Sequence, residues 1–472
     1  MDGAGFVDEQ AVQDRSGLLA AVIKAYDVRG VVGEQIDSAL VRDIGAAFAR
    51  LVGADASTRV VVGHDMRESS PELAAAFAEG VVAQGLDVIN IGLSSTDQLY
   101  YASGVLACPG AMFTASHNPA RYNGIKLCRA GAKPIGQDTG LAHIRTEVAE
   151  RHADLAAPRG TITQREVLQE YAQYLRELVD CSQLRPLTVA VDAGNGMAGH
   201  TVPAVLGPLP MTVEPLYFEL DGNFPNHEAN PLDPANLVDL QEHVRTTGAD
   251  IGLAFDGDAD RCFVVDERGE PVSPSAVTAL VASRVLARAP GSTIIYNLIT
   301  SRALPELVRE LGGNPVRTRV GHSFIKQEMA ERGAVFGGEH SAHYYFQDFW
   351  CADSGMLAGL HVLAALGEQD RPLSELMAQY TRYAASGEIN STVADAEERT
   401  AAVCAAFADR TVAVDRLDGV TVDLADGAWF NLRASNTEPL LRLNVEATGE
   451  TAVAAICEEI LAIVRHPTRK DG

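Results

Sequence analysis

Three short β-branched runs share one shape along the chain: Arg59-Val-Val-Val-Gly-His-Asp65, Leu187-Thr-Val-Ala-Val-Asp-Ala-Gly194 and Ser292-Thr-Ile-Ile-Tyr-Asn297. Each is a continuous apolar stretch too short for a helix and closed by a polar or glycine turn, the pattern of a strand buried on both faces. Each is followed by an alanine- and leucine-rich stretch with helical spacing, and then by a second polar hot spot. These hot spots are Thr114-Ala-Ser-His-Asn-Pro119, Asp256-Gly-Asp-Ala-Asp-Arg261 and Gly338-Glu-His-Ser-Ala-His343. The recurrence predicts three α/β units of similar length; ordinary α/β alternation would give a looser version of the same pattern.

The periodicity breaks at polar, Gly or Pro residues in 153–160, 267–274 and 384–390. The expected domains are 1–157, 158–268 and 269–382, each α/β, and 383–472, α+β. The last is built differently. Strand patterns at Thr411–Val414, Gly419–Leu424, Trp429–Arg433 and Leu440–Glu446 precede a helical Ala452–Val464.

The length of 472 residues suits roughly three or four domains. With 38 basic against 63 acidic residues the net charge is −25, which repels nucleic-acid backbones and anionic membranes. A small anion could still bind wherever a few Arg and Lys are collected. The longest uncharged runs are interrupted by Gly and Pro, and Ser354–Gly367 is too short to span a bilayer, so no membrane helix is expected. The N-terminal residues lack the basic and apolar regions of a signal peptide, and the 7 cysteines form neither a CxxC nor an even set. A cytoplasmic protein is expected. No heptad or exposed apolar helix is evident, so the expectation is a monomer.

Four constellations carry chemistry. In the first, Asp256, Asp258 and Asp260 alternate between two apolar runs, and their oxygens can converge on Mg²⁺ or Ca²⁺. The spacing also resembles an EF-hand start, but Arg261 stands where that loop demands Gly, and a plain solvated acidic turn stays open. In the second, Ser116 sits in a tight polar loop with Lys126 beyond, and such a serine can carry a phosphoryl group when a metal neutralises the charge. Adjacent Ser116 and His117 do not make a triad, and read alone the segment is also a common turn.

In the third, Glu339, Ser341 and His343 alternate, so in an extended segment they would face one side, as suits sugar hydroxyls and a proton transfer. Zinc on His340 and His343 remains an alternative, without the helix that such spacing needs. In the fourth, Arg433-Ala-Ser435-Asn436-Thr437, with Arg442 beyond, offers guanidinium, hydroxyl and amide groups to a phosphate, or caps a turn.

Together, in this order and spacing, the four motifs resemble the α-D-phosphohexomutase superfamily over nearly the whole chain. The resemblance implies three related α/β domains and a terminal α+β domain around a central cleft, the last moving as a lid. It implies that Ser116 carries the phosphoryl group and, with Asp256, Asp258 and Asp260, binds Mg²⁺. Arg261 would lie near the phosphoserine. Lys126 and His343 match positions proposed for acid/base work, and Tyr26, Arg29 and His322 match substrate-cleft positions. Glu339 and Ser341 match the sugar-hydroxyl grip, and Arg433, Ser435, Asn436 and Thr437 match the distal-phosphate loop. The implied reaction interconverts hexose 6-phosphate and hexose 1-phosphate, with a hexose 1,6-bisphosphate as intermediate and activator.

One position departs from the pattern: Ile299 stands where bacterial relatives often have lysine, which leaves the general base open. Glu-His-Ser-Ala-His, Tyr-Tyr-Phe and Ser435-Asn436-Thr437 look like the phosphomannomutase branch. Glucose or dual specificity is the alternative, phosphoglucosamine mutase a more distant one, and a silent sugar-phosphate-binding protein is the rival from another class.

Overall fold

The computed structural model describes residues 9–150, 154, 158–434 and 440–466. The chain divides into two compact units, residues 1–272 with 341–374, and residues 273–340 with 375–472.

The three predicted runs are strands Arg59–His64, Leu187–Asp192 and Thr293–Asn297. Each lies at the centre of a parallel trio. Arg59–His64 pairs with Asp87–Leu93 on one side and Gly110–Phe113 on the other. Leu187–Asp192 is flanked in the same way by Met211–Leu216 and Ile251–Phe255. Thr293–Asn297 is flanked by Asn314–Thr318 and Phe336–Gly338. Parallel neighbours need crossovers, supplied by helices such as Ser70–Ala83, Ala198–Leu206 and Ala303–Glu310. The recurrence seen in sequence is therefore a repeat of topology, with the first strand central and the second and third to either side.

This order gives the polar loops one common place: each follows the third strand of its trio. In the first two trios an antiparallel strand then returns, Tyr122–Arg129 against Gly110–Phe113 and Cys262–Asp266 against Ile251–Phe255. Loops at the carboxyl ends of parallel strands are where open α/β sheets bind ligands, so chemistry-bearing residues at these points have a structural reason.

The last part is a six-stranded antiparallel sheet. Thr411–Asp415, Val420–Leu424, Trp429–Ala434 and Leu440–Ala447 pair in sequence order, covered by Ala396–Ala406 and Glu450–Val464. Phe407, Phe430 and Ile460 fill the space between sheet and helices. The 384–390 stretch, read as a boundary, supplies the short strands Ala384–Ala385 and Ile389–Thr392, both paired to Leu440–Ala447. No described helix is long and apolar enough to cross a membrane.

In the first unit one buried carboxylate ties three segments together. Asp97 accepts hydrogen bonds from Ser95 Oγ at 2.5 Å, Ser354 Oγ at 2.6 Å and Tyr171 Oη at 2.7 Å. Burial raises its pKa to about 6, against the pull of those three donors. A hydrogen bond to a buried carboxylate is worth about 1.5–3 kcal/mol, so Tyr171→Phe is expected to cost about that much at pH 7.5. The loss should shrink as pH falls below about 6, where Asp97 is protonated and needs the donor less. Chemical denaturation of the two proteins at pH 5 and pH 7.5 measures both the cost and its pH dependence.

Candidate active site

The loop after Gly110–Phe113 and the loop after Ile251–Phe255 meet within the first unit. Ser116 Oγ donates to Asp256 Oδ2 at 2.7 Å. The contact is close at the backbone too: a Cβ on Gly257 would lie 2.4 Å from the Ser116 carbonyl oxygen, so a larger residue there would push the loops apart. Ser116 takes φ +49°, a conformation costly for a residue with a side chain, and its N–H is held by Thr114 Oγ1 at 2.9 Å.

Asp256, Asp258 and Asp260 are all buried, and one oxygen from each lies within 4.8 Å of the others. Lys126 Nζ bridges Asp258 Oδ2 at 2.6 Å and Asp260 Oδ2 at 2.5 Å, while Thr96 Oγ1 donates to Asp258 Oδ2 at 2.5 Å. Arg261 closes the loop on itself, its Nε donating to Asp256 Oδ2 at 2.9 Å and its backbone N–H to Asp256 Oδ1 at 3.2 Å. Among the described residues, the buried Oδ1 atoms of Asp258 and Asp260 accept no hydrogen bond. Three carboxylates face two side-chain cations, and the donor set is all oxygen; this fits the Mg²⁺ that the resemblance implies.

The electrostatics divide the three acids. Burial and the neighbouring Asp260 and Asp258 push Asp256 up to about 7, against the attraction of Arg261. Asp258 is pressed the same way by burial and Asp260, but the Lys126 charge and the Lys126 and Thr96 hydrogen bonds hold it below the ordinary carboxylate range. Asp260 is also pressed by burial and drawn below its usual value by Lys126, His343 and Arg261. Burial opposes the charge on Lys126, yet Asp258 and Asp260 outweigh it and keep the ammonium firmly protonated.

His117 Nδ1 lies 3.2 Å from Ser116 Oγ and 2.5 Å from Arg261 Nη2. Burial, Arg261 and Arg29 lower its pKa to about 2, so the ring is neutral and its Nδ1 accepts from the guanidinium. Arg29 donates to the Ala115 carbonyl at 3.3 Å and to Asn118 Oδ1, and pairs with Asp27 at 2.6 Å. Tyr26 is exposed.

Of the third constellation, Ser341 and His343 belong to the first unit and Glu339 to the second. The expected extended segment is a turn: Ala342 takes φ +63°, which breaks the alternation of side chains. Ser341 Oγ and His343 Nδ1 are hydrogen-bonded at 2.9 Å, and His343 Nε2 lies 3.8 Å from Asp260 Oδ1. Glu339 is buried and its Oε1 accepts from Gly321 N at 3.1 Å and Asn297 Nδ2 at 3.3 Å. In the fourth constellation Arg433 pairs with Glu388 at 3.3 Å. Ser435, Asn436 and Thr437 lie outside the described residues, as does the side chain of His322. Ile299, at the departing position, is a buried core residue.

Two contributors escaped sequence reading. Thr96, which braces Asp258, stands 162 positions away in an unremarkable Ser-Ser-Thr stretch. Arg67, beside the strand-end Asp65, donates to Ser116 O at 2.9 Å and Asn118 O at 2.7 Å. Only the Asp65-x-Arg67 spacing after a buried strand hinted at it.

Family models described as phosphoglucomutase/phosphomannomutase, alpha/beta/alpha domains I, II and III, match residues 20–154, 169–269 and 273–383, and the C-terminal domain of the same family matches 388–463. A protein of Xanthomonas campestris named phosphohexose mutases is 42% identical over 433 residues, covering 91% of this chain and 96% of its own. A phosphomannomutase of Escherichia coli is 40% identical over 454 residues, covering 94% and 98%. A phosphomannomutase/phosphoglucomutase of Pseudomonas aeruginosa is 38% identical over 444 residues, covering 93% and 94%. The crystal structure of a phosphoglucomutase/phosphomannomutase family protein from Burkholderia thailandensis superposes with a TM-score of 0.85 at 34% identity, covering 96% of this chain and 98% of the other. With the four domain models matched in order and relatives near 40% identity along almost its entire length, the chain belongs to the phosphoglucomutase/phosphomannomutase family and is an isomerase of the phosphohexomutase type.

Proposed function

We propose that this phosphohexomutase interconverts mannose 6-phosphate and mannose 1-phosphate through phosphorylated Ser116 and a mannose 1,6-bisphosphate intermediate, which also serves as activator. The observation that carries the reading is the 2.7 Å hydrogen bond from Ser116 Oγ to Asp256, inside a buried group of three carboxylates, Lys126 and Arg261. Phosphorylated Ser116 gives its phosphoryl group to the free hydroxyl of the hexose phosphate. The bond from phosphorus to Oγ breaks, a bond to the sugar oxygen forms, and the hydroxyl proton passes to a base. The bisphosphate then turns end over end, and its other phosphate returns the group to Ser116.

Mg²⁺, held by Asp256, Asp258, Asp260 and the Ser116 oxygen, would supply positive charge against the transferring phosphoryl group. Arg261 adds a guanidinium on the same side. Lys126, paired with Asp258 and Asp260, and His343, near Asp260, are the candidates for the acid/base work. Tyr26, Arg29, His322, Glu339 and Ser341 are assigned to the sugar, and Arg433 with Ser435, Asn436 and Thr437 to the distal phosphate.

Mannose is favoured by the Glu-His-Ser-Ala-His and Ser-Asn-Thr motifs and by relatives named phosphomannomutase. Glucose is the second reading, because the Pseudomonas aeruginosa relative is named for both activities. One hydroxyl contact shifts discrimination by about 1–3 kcal/mol, so activity on glucose 1-phosphate is expected to be lower but measurable. The test is kcat/KM on mannose 1-phosphate, glucose 1-phosphate and glucosamine 1-phosphate with Mg²⁺ and bisphosphate. The expected order falls in that sequence. A best rate on glucosamine 1-phosphate overturns the proposal, and no interconversion of any of the three leaves a silent binding protein.

A further inference from the structure

Arg67 is buried at 2% exposure, and nearly all of its donor capacity is spent on one loop. Its Nη2 donates to the carbonyl oxygens of Ser116 at 2.9 Å and Asn118 at 2.7 Å. Its Nη1 donates to those of Pro119 at 3.1 Å and Tyr122 at 3.0 Å. A planar guanidinium thus gathers four backbone carbonyls of a turn that has little regular structure of its own. On the opposite side Arg67 is itself fixed, by the ion pair Nε to Asp65 Oδ2 at 3.3 Å and by its backbone N–H on Asp65 Oδ1 at 3.0 Å. Asp65 Oδ1 also accepts from Ser70 Oγ at 2.6 Å, and Ser70 Oγ accepts from Asn123 Nδ2 at 2.9 Å. Asn123 is the second residue of the strand that leaves the loop, so the bracing reaches the loop's far end.

The second α/β domain completes the arrangement. Phe224 places its ring 5.1 Å from the guanidinium carbon, and a Cβ on Gly222 would lie 2.7 Å from Arg67 Cα. That segment is anchored to its own sheet, with Asp221 N on Asn195 O at 3.0 Å and His227 Nε2 on Asp192 Oδ2 at 2.9 Å. Arg67 therefore stands between the loop that carries Ser116 and the domain that carries the aspartates.

We infer that Arg67 is a positioning residue for phosphoryl transfer: its guanidinium donates to the backbone of the Ser116 loop, and it acts by holding Ser116 in its strained conformation with Oγ directed at Asp256. The inference rests on the reading of Ser116 as the phosphoryl carrier. Lysine keeps the charge and the pairing with Asp65, but as a point donor it cannot hold four carbonyls in a plane.

The test is Arg67→Lys, with Phe224→Leu as the milder variant, in the Mg²⁺-loaded enzyme with bisphosphate. A misplacement of the reacting group by about 1 Å costs on the order of 100-fold, so kcat of Arg67→Lys is expected to fall by about that factor. The KM for hexose 1-phosphate should change less than about 2-fold, since ground-state binding does not use this loop's exact placement. The rate of phosphoryl transfer from the isolated phosphoenzyme, followed by rapid quench, should fall with kcat. Phe224→Leu should give a smaller drop, about 3- to 10-fold, again in kcat alone. An unchanged kcat in a folded Arg67→Lys overturns the inference, as does a joint loss of kcat and KM. If Arg67→Lys fails to fold, an unchanged kcat in Phe224→Leu overturns it. Wild-type enzyme that forms no phosphoserine at Ser116 while turning over removes the underlying reading, an outcome distinct from normal transfer in the variants.

Discussion

Replacing Ser116 with alanine is expected to lower kcat by at least about 10,000-fold, the scale on which loss of a covalent nucleophile acts, and to remove the phosphate adduct seen by intact mass spectrometry. The neighbouring His117 does not take over. Its Nδ1, the ring atom nearest the hydroxyl at 3.2 Å, already accepts from Arg261 Nη2. The expectation has a second arm, because Ser116 sits at φ +49°. Strain of this kind persists only where the surroundings enforce it, and it costs on the order of 1–3 kcal/mol. Ser116→Gly is therefore expected to be as inactive as the alanine variant but more stable, by about 1 kcal/mol, because glycine adopts this conformation without penalty. Turnover, adduct mass and thermal unfolding of the two variants measure all of this. Retained turnover in Ser116→Ala sinks the assignment of the phosphoryl carrier, and a Ser116→Gly protein no more stable than Ser116→Ala removes the strain argument.

How far the site was legible depended on whether its chemistry is local in sequence. Asp256, Asp258 and Asp260 were legible because cation ligation needs several oxygens and a short loop supplies them two residues apart. The strands were legible because a strand buried on both faces must be a continuous apolar run, and each of the three runs became the middle strand of a parallel trio. Glu339, Ser341 and His343 misled in one respect. Alternation implies a shared face only if the backbone is extended, and nothing in Gly-Glu-His-Ser-Ala-His announces that Ala342 turns to φ +63°. Thr96 and Arg67 escaped for a different reason. They are ordinary polar residues whose partners lie 162 and 49 positions away, so their meaning exists only after the sheets have formed. The distal-phosphate motif at Ser435, Asn436 and Thr437 lies outside the described residues, and its role rests on the resemblance alone.

Replacing Asp256 with asparagine is expected to move activity and metal-free stability in opposite directions. Asparagine can keep one oxygen where Oδ2 accepts from the Ser116 hydroxyl and Arg261 Nε, but it sets an NH2 against the Arg261 backbone N–H and removes one of three anionic ligands. Loss of metal affinity by at least about 100-fold follows, since even residues that only orient ligands are worth 10- to 100-fold. Turnover at millimolar Mg²⁺ should drop accordingly. The metal-free protein should behave otherwise. Burial, reinforced by Asp260 and Asp258, raises the Asp256 carboxyl to about 7 in spite of Arg261, from an ordinary value of 3.8. A folded-state pKa above the unfolded one means that the folded protein binds the extra proton. Its contribution is favourable below about pH 4 relative to higher pH, and is lost as pH rises from about 4 through about 7. Asparagine has no such proton to lose. In the presence of a chelator, the wild-type melting temperature should therefore decline between pH 5 and pH 8, and that of Asp256→Asn should decline less and exceed it at pH 8. Added Mg²⁺ should reverse the ranking, because the cation stabilises only the form with all three carboxylates. A metal-free variant less stable than wild type at pH 8 would show that the charge of Asp256 is held mainly by Arg261, and that the acidic cluster is paired rather than poised for a cation.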